Sequence, residues 1–328
     1  MQNIQKIRKL LNKLFDYYNQ QFPCKKHSFK KVFYSILIIV LAAISLFLFP
    51  EKSQQNISLC DEAQKSEIKV ASFNIQVFGK TKREKEDVMQ VLKKIVQEFD
   101  IVFIQELRDA KEETASYFLD EINKDFNFPK FAFIKSERLG RTSSKESCAY
   151  FYNTCQIEFL EKTDYVFSDI DDIFEREPYI ASFRSNNFDF TLAGIHIKPT
   201  DAKAEIAYLD TVVNSILDKN PNEKDVIIMG DFNADGSYFN ELNDFNPFKS
   251  LKYNWIITND MDTMTKTGWT YDRIVLLGDT LNSEYILDSA SVFYFDKEYG
   301  IFDFDFIIKI SDHYPIYAIF RTDLNDDD

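Results

Sequence analysis

The stretch 226–239, VIIMGDFNADGSYF, decides how the rest of the chain is read. Val226 to Gly230 reads as a buried strand, and Asp231, Asn233 and Asp235 follow it at once. A carboxylate at the mouth of a hydrophobic strand costs stability unless it has a partner. In an open α/β sheet the strand ends form the crevice where ligands sit.

The same arrangement recurs outward from this point. Strand-like runs fall at 68–78, 100–107, 131–136, 148–153, 188–197, 271–278 and 314–322. Apolar residues spaced by three and four predict helices over about 82–99, 110–124 and 201–218. The alternation predicts an α/β protein with helices covering sheets. Neither a repeat nor a glycine-rich phosphate loop is present. Asn74, Gln105, Glu106, His196, Asp231, Asn233, Asp272, Asp312 and His313 all fall at strand ends. One such residue is a cap or a turn former, but this many call for chemistry.

The three histidines sharpen the point. His27 lies in a basic N-terminal tail, while His196 and His313 stand beside acids or amides. Asn74, Glu106 and Asp312 are oxygen donors suited to a hard divalent cation, Mg²⁺ or Mn²⁺. No Cys/His cluster has zinc spacing. Two histidines, each able to pair with a carboxylate, suit proton transfer. Together these groups suggest metal-assisted attack of water on phosphorus.

The chain has 328 residues, 16% of them aromatic and 32 of them Phe, a composition that excludes disorder. The net charge is −14, and residues 51–328 alone hold 31 basic against 52 acidic side chains. Such a surface argues against coating nucleic acid by bulk electrostatics, but not against touching phosphate through a metal. Residues 32–49, VFYSILIIVLAAISLFLF, carry no charge and would span about 27 Å as a helix. Lysines precede this run. The expectation is an uncleaved anchor with residues 1–31 as a basic cytoplasmic tail and the catalytic domain exoplasmic; the alternative is secretion after cleavage. Residues 50–66 read as a linker, 67–322 as the catalytic domain and 323–328 as an acidic tail. Cys24 precedes the apolar run, and Cys148 and Cys155 flank an expected hairpin in poor geometry for a bridge, so no disulfide framework is expected.

The blocks VASFNIQVFG, DIVFIQELRD, SERLGRTSSKES, FEREP, GIHIKPTDAKAEI, MGDFNADGSY, TYDRIV and ISDHYPI occur in the order found in deoxyribonuclease I. From about Ile68 to Phe320 the chain resembles that branch of the endonuclease/exonuclease/phosphatase superfamily. The resemblance implies a four-layer sandwich, two packed mixed sheets flanked by helices. It implies a monomeric enzyme that hydrolyses DNA phosphodiesters to 5′-phosphate and 3′-hydroxyl ends. By position it implies that Glu106 and Asn74 hold the catalytic cation with Asp312 nearby. It pairs His196 with Glu146 and His313 with Asp272, and has Asp231 and Asn233 orient the water and steady the phosphoryl charge. Asp235 reads as structural. Arg108, Arg141 and Arg176 match residues that face DNA.

Departures from the pattern are also visible. Ser144 stands where the family has a tyrosine that packs on a sugar. Gly236 replaces a cysteine whose partner position falls near Trp269, so that bridge is absent. Asp169, Asp172 and Glu177, with the Phe174 carbonyl, resemble a structural Ca²⁺ site, and DTMTKT at 262–267 resembles a second calcium loop. The alternative activity within the superfamily is a phosphodiesterase on a phospholipid headgroup, such as a sphingomyelinase; a binding domain that kept the scaffold is a third reading. No protein inhibitor can be read from the sequence.

Overall fold

The computed structural model describes residue 60 and residues 62–240, 247–278 and 283–324. In chain order the strands are β1 (Glu67–Asn74), β2 (Ile101–Leu107), β3 (Phe131–Lys135), β4 (Ser147–Asn153), β5 (Glu158–Phe159), β6 (Tyr165–Val166), β7 (Tyr179–Ser185), β8 (Phe188–His196), β9 (Val226–Asp231), β10 (Tyr253–Trp255), β11 (Asp272–Leu277), β12 (Ser291–Val292) and β13 (Ile316–Arg321). The helices are α1 (Lys80–Arg83), α2 (Glu86–Gln97), α3 (Thr114–Asn123), α4 (Ala202–Lys219), α5 (Phe295–Glu298) and α6 (Phe304–Ile310).

Two mixed sheets form. One runs β12-β13-β1-β2-β4-β3 and the other β10-β11-β9-β8-β7-β5, with β6 paired to β7. Each is built on one parallel pair, β1–β2 and β8–β9, joined by a helical crossover through α2 and α4 respectively. A parallel pair requires such a crossover, and it puts the C-terminal ends of both strands on the same edge. Asn74 ends β1, His196 ends β8 and Asp231 ends β9.

The alternation of β9 shows how the layers are held. Ile227 and Met229 join the core between the sheets, which includes Phe103, Tyr150, Phe183 and Leu192. Val226 and Ile228 turn instead to Ile206, Leu209, Val213 and Ile216 on α4. Period-two side chains on a strand buried on both faces give this division. The sheets meet closely at Gly194, where an added Cβ would stand 2.3 Å from the Phe103 ring. Gly230 has φ of +146°, and a Cβ there would fall 1.8 Å from the Ile195 carbonyl oxygen. Glycine is therefore required immediately before Asp231.

Two expectations are corrected. No helix among the described residues is long and apolar enough to cross a membrane. The run expected to span, residues 32–49, lies outside the described residues, as does His27. Among the described residues the architecture is accordingly the two-sheet domain alone, with no membrane helix, and the exoplasmic, anchored placement is not carried further. Second, Cys60 and Cys155 form a disulfide, with Cα atoms 5.5 Å apart. Cys148 is free and buried in β4. The described residues just ahead of β1 are hydrogen-bonded to the domain. Lys65 N donates to Gln156 Oε1 at 2.8 Å and Thr322 N to Ser66 O at 2.8 Å.

Candidate active site

Strand register assembles the site. His196 is the cross-strand partner of Asp231, and Asp231 is the partner of Asp272. On the other sheet Asn74 is paired with Gln105. The β2–β4 register shifts between Ile104 and Leu107, a bulge that leaves Glu106 with φ of +61°. Bulges re-aim side chains, and left-handed non-glycine backbone concentrates at functional sites. Asn233 (φ +48°), Gln76 (φ +50°) and Val77 (φ +50°) share that conformation around the same edge. The short helix α6, capped by Asp303 accepting from the Asp305 and Phe306 amides, ends at Ile310 and delivers Asp312 and His313.

His196 Nδ1 lies 2.6 Å from Glu146 Oε1, and its Nε2 lies 3.5 Å from Asp231 Oδ2. His313 Nδ1 lies 2.8 Å from Asp272 Oδ2, and its Nε2 also lies 3.5 Å from Asp231 Oδ2. Asn74 Nδ2 donates to that same Asp231 oxygen at 3.1 Å and stands 3.4 Å from Glu106 Oε1. Asp231 Oδ1 accepts from Asn233 N at 2.9 Å, and Asn233 Nδ2 donates to Ile197 O at 2.9 Å. The structure thus brings Asn74, Glu106, Glu146, His196, Asp231, Asn233, Asp272 and His313 together. Asp312 is 3.9 Å from His313 Nε2 and partly exposed.

Electrostatics follow from burial against pairing. Burial opposes protonation of His313, but the Asp272 and Asp231 charges outweigh it and push its pKa up to about 10. Burial likewise opposes protonation of His196, and Glu146 reverses the effect, raising its pKa. Burial would raise the Glu146 carboxyl, yet His196, Arg176 and Arg108 hold it down at about 2. Asp272 is raised, chiefly by burial.

The donor set fits a hard divalent cation. Glu106 and Asp231 both approach the Asn74 amide, at 3.4 and 3.1 Å, and such crowded carboxylates call for compensating charge. Ligand atoms of Asp231, Asp272 and His313 also lie within 4.8 Å of one another. Asp272 and His313 already bond each other at 2.8 Å, and a cation there would have to break that contact. The side carrying Glu106 is therefore the better seat.

Several residues outside the expected catalytic and metal set support the site. Gln105 Oε1 accepts from Asp231 N at 3.1 Å and its Nε2 donates to Ser72 Oγ at 2.8 Å. Ser311 Oγ donates to Asn74 O at 2.6 Å and accepts from His313 N at 3.1 Å, joining the two ligand-bearing ends. The buried Lys82 Nζ donates to Ile75 O at 2.6 Å and Ile310 O at 3.1 Å. Burial brings the Lys82 pKa down to about 8. Thr263 Oγ1 accepts from Tyr271 N at 3.1 Å and Asp272 N at 3.3 Å, so 262–267 braces β11. Asp235 accepts from Thr270 N at 2.9 Å.

The arginines differ in placement. Arg108, partly exposed, lies 3.3 Å from both Glu106 and Glu146. Arg176 is buried, its Nε donating to His196 O at 3.0 Å. Arg141 donates to the carbonyls of Asp172 (2.6 Å) and Ile173 (3.2 Å). In the expected calcium loop Asp169 Oδ2 accepts from Phe174 N at 2.7 Å, Asp172 is exposed, and Glu177 is half-buried like Asp169. Ser144 is exposed.

The profile of the Endonuclease/Exonuclease/phosphatase family matches residues 71–313. Deoxyribonuclease-1 of Bos taurus is 35% identical over 258 residues, 76% of this chain and 90% of the relative. Deoxyribonuclease-1 of Homo sapiens is 34% identical over 265 residues, 77% of this chain and 92% of the relative. Among solved structures, D. rerio TDP2 complexed with single strand DNA product superposes with a TM-score of 0.56 at 17% identity, covering 79% of this chain and 100% of that one. An endonuclease/exonuclease/phosphatase family protein from Bacteroides thetaiotaomicron gives a TM-score of 0.53 at 17% identity, covering 80% and 98%. These two likenesses speak for the fold. Geometry and relatives together make the chain a phosphodiester hydrolase of the endonuclease/exonuclease/phosphatase family, in its deoxyribonuclease I-like branch.

Proposed function

We propose that the chain is a divalent-metal-dependent, largely sequence-non-specific DNA endonuclease that leaves 5′-phosphate and 3′-hydroxyl ends. The observation that carries this reading is the pair of carboxylate-backed imidazoles, both with Nε2 at 3.5 Å from Asp231 Oδ2. Hydrolysis of a phosphodiester needs two proton transfers. One imidazole receives a proton from the attacking water, and the other gives one to O3′ as the P–O3′ bond breaks. Glu146 and Asp272 fix each ring through Nδ1 and leave Nε2 for the reacting oxygens. Asn233 has one amide hydrogen on Ile197 O and a second for a phosphoryl oxygen, where negative charge grows in the pentacovalent state. Glu106, Asn74 and Asp312 would hold Mg²⁺ or Mn²⁺, which supplies positive charge to the phosphoryl oxygens. Arg108 and Arg141 at the rim suit backbone contacts without base reading. Asp169, Asp172 and Glu177 would take a structural Ca²⁺. Phospholipid-headgroup hydrolysis drew its support from the expected anchor, and no observation of the site favours it.

Nicking of supercoiled plasmid by residues 59–328 tests the reading. Activity with Mg²⁺ that stops on chelation, and a loss of roughly 10²- to 10⁴-fold in His196→Ala or His313→Ala, is expected. Wild-type rates in either variant would sink it.

A further inference from the structure

The reaction scheme leaves Trp269 unused. The chain has two tryptophans. Trp255 is packed among Phe232, Phe239 and Phe248, with its Nε1 donating to Phe248 O at 3.0 Å. Trp269 is 43% exposed and meets no other aromatic ring among the described residues. Its backbone is nevertheless pinned. Thr263 N donates to its carbonyl at 3.2 Å, and the next residue, Thr270, donates to Asp235 Oδ2 at 2.9 Å. Thr263 also holds the amides of Tyr271 and Asp272. A rigid loop therefore carries a large exposed indole three residues from Asp272.

The turn at Gly236 lies against one part of the ring. A Cβ on Gly236 would stand 3.5 Å from Trp269 Cδ2, 3.6 Å from Cε2 and 3.4 Å from the Tyr271 hydroxyl. Gly236 belongs to the turn that follows Asp231 and Asn233, so the indole adjoins the loop carrying those two residues. A Cβ on Gly268 would meet nothing within 4 Å. The exposed part of the indole remains reachable by a planar group.

We infer that Trp269 is a stacking subsite for an unpaired nucleobase beside the scissile phosphate, giving the enzyme a lower KM for single-stranded than for duplex DNA. The inference rests on the nuclease reading. Every base offers a π-face to an aromatic ring without sequence preference. In a duplex that face is covered by the neighbouring pairs, and exposing it costs unstacking. The gain accordingly falls on single strands.

The test uses residues 59–328 with Mg²⁺, an oligothymidylate and a duplex of equal length. Trp269→Ala should raise KM for the oligothymidylate roughly tenfold, move the duplex KM much less and leave the kcat ratio of the two substrates in place. Trp269→Phe, which keeps a ring, should restore most of the single-strand KM. In the His313→Asn protein, which should bind without turnover, oligothymidylate should quench tryptophan fluorescence, and Trp269→Phe should remove the quench because Trp255 is half-buried among Phe232, Phe239 and Phe248. Equal KM changes on both substrates, or none, overturn the assignment while leaving the nuclease reading intact. A wild-type protein that cleaves neither substrate overturns both.

Discussion

His196 and His313 aim their Nε2 atoms at one and the same oxygen, Asp231 Oδ2, each from 3.5 Å. They come from different sheets, His196 from the end of β8 and His313 from the segment leading into β13. Asp231 is therefore an electrostatic hinge between two imidazoles as well as a member of the site. Asp231→Asn should lower the pKa of both, because its charge raises each. Proton NMR can follow this, since the chain has only three histidines. Unchanged titration of both site histidines would contradict the electrostatic account.

Glu146 is held at about 2, below its ordinary 4.5. A carboxyl depressed in the folded state stabilises above its unfolded pKa, and the gain is lost as pH falls from about 4.5 towards 2. The shift corresponds to on the order of 3 kcal/mol. Glu146→Gln should flatten the urea midpoint against pH in that window. It should also slow nicking by roughly 10²-fold or more through loss of the ring's orientation. A variant with the wild-type acid limb would rule this out.

Glu205 has the opposite sign. It is buried at the start of α4, where it accepts from Glu175 N at 3.1 Å and Lys198 N at 3.4 Å, and burial lifts it to about 7. The folded protein then binds a proton that the unfolded chain has released. Stability should fall by on the order of 3 kcal/mol as pH rises from about 4.5 to 7, and level off above. Glu205→Gln should remove this slope, whatever its effect on absolute stability. Persistence of the slope in the variant would show that another group causes it.

The Cys60–Cys155 bridge closes a sequence separation of 95 residues. Cross-linking of that length restricts the unfolded chain by up to about 4.7 kcal/mol in the chain-entropy account, and measured gains are commonly about 2–4. Dithiothreitol, or Cys155→Ser, should lower the melting temperature by several degrees. The expected magnitude fails if reduced and oxidised protein melt together.

Much of the architecture was legible because apolar runs of strand length stop abruptly at polar residues. Val226 to Asp231 and Phe188 to His196 are bounded by composition alone. β7 was not read as a strand, because Arg184 and the serines at 182 and 185 interrupt its apolar character and Pro178 precedes it. Two of these side chains find partners on β8, Ser182 Oγ lying 2.8 Å from Thr191 Oγ1 and Arg184 donating to Asp189 at 3.2 Å. That is knowledge of a partner, which no single strand contains. The same limit hid the disulfide, whose halves are far apart in sequence. It also hid Lys82 and Ser311, whose contribution is to tie the end of β1 to the segment that carries His313. Arg176 shows a further limit: a motif places a residue in the site without saying which way its side chain points, and here it is buried behind His196.

The row His196, Asp231, Asp272 runs straight across three neighbouring strands. Side chains on a strand alternate in direction, so inserting or deleting one residue within β8 or β9 ahead of this row, or within β11 after it, would turn one of the three to the opposite face. Loops that carry none of the site residues can change length, and with them the molecules admitted. The strands beneath are counted to the residue, and Gly230 allows no bulk beside the row. Divergence in such a scaffold can redraw the doorway while the threshold stays fixed.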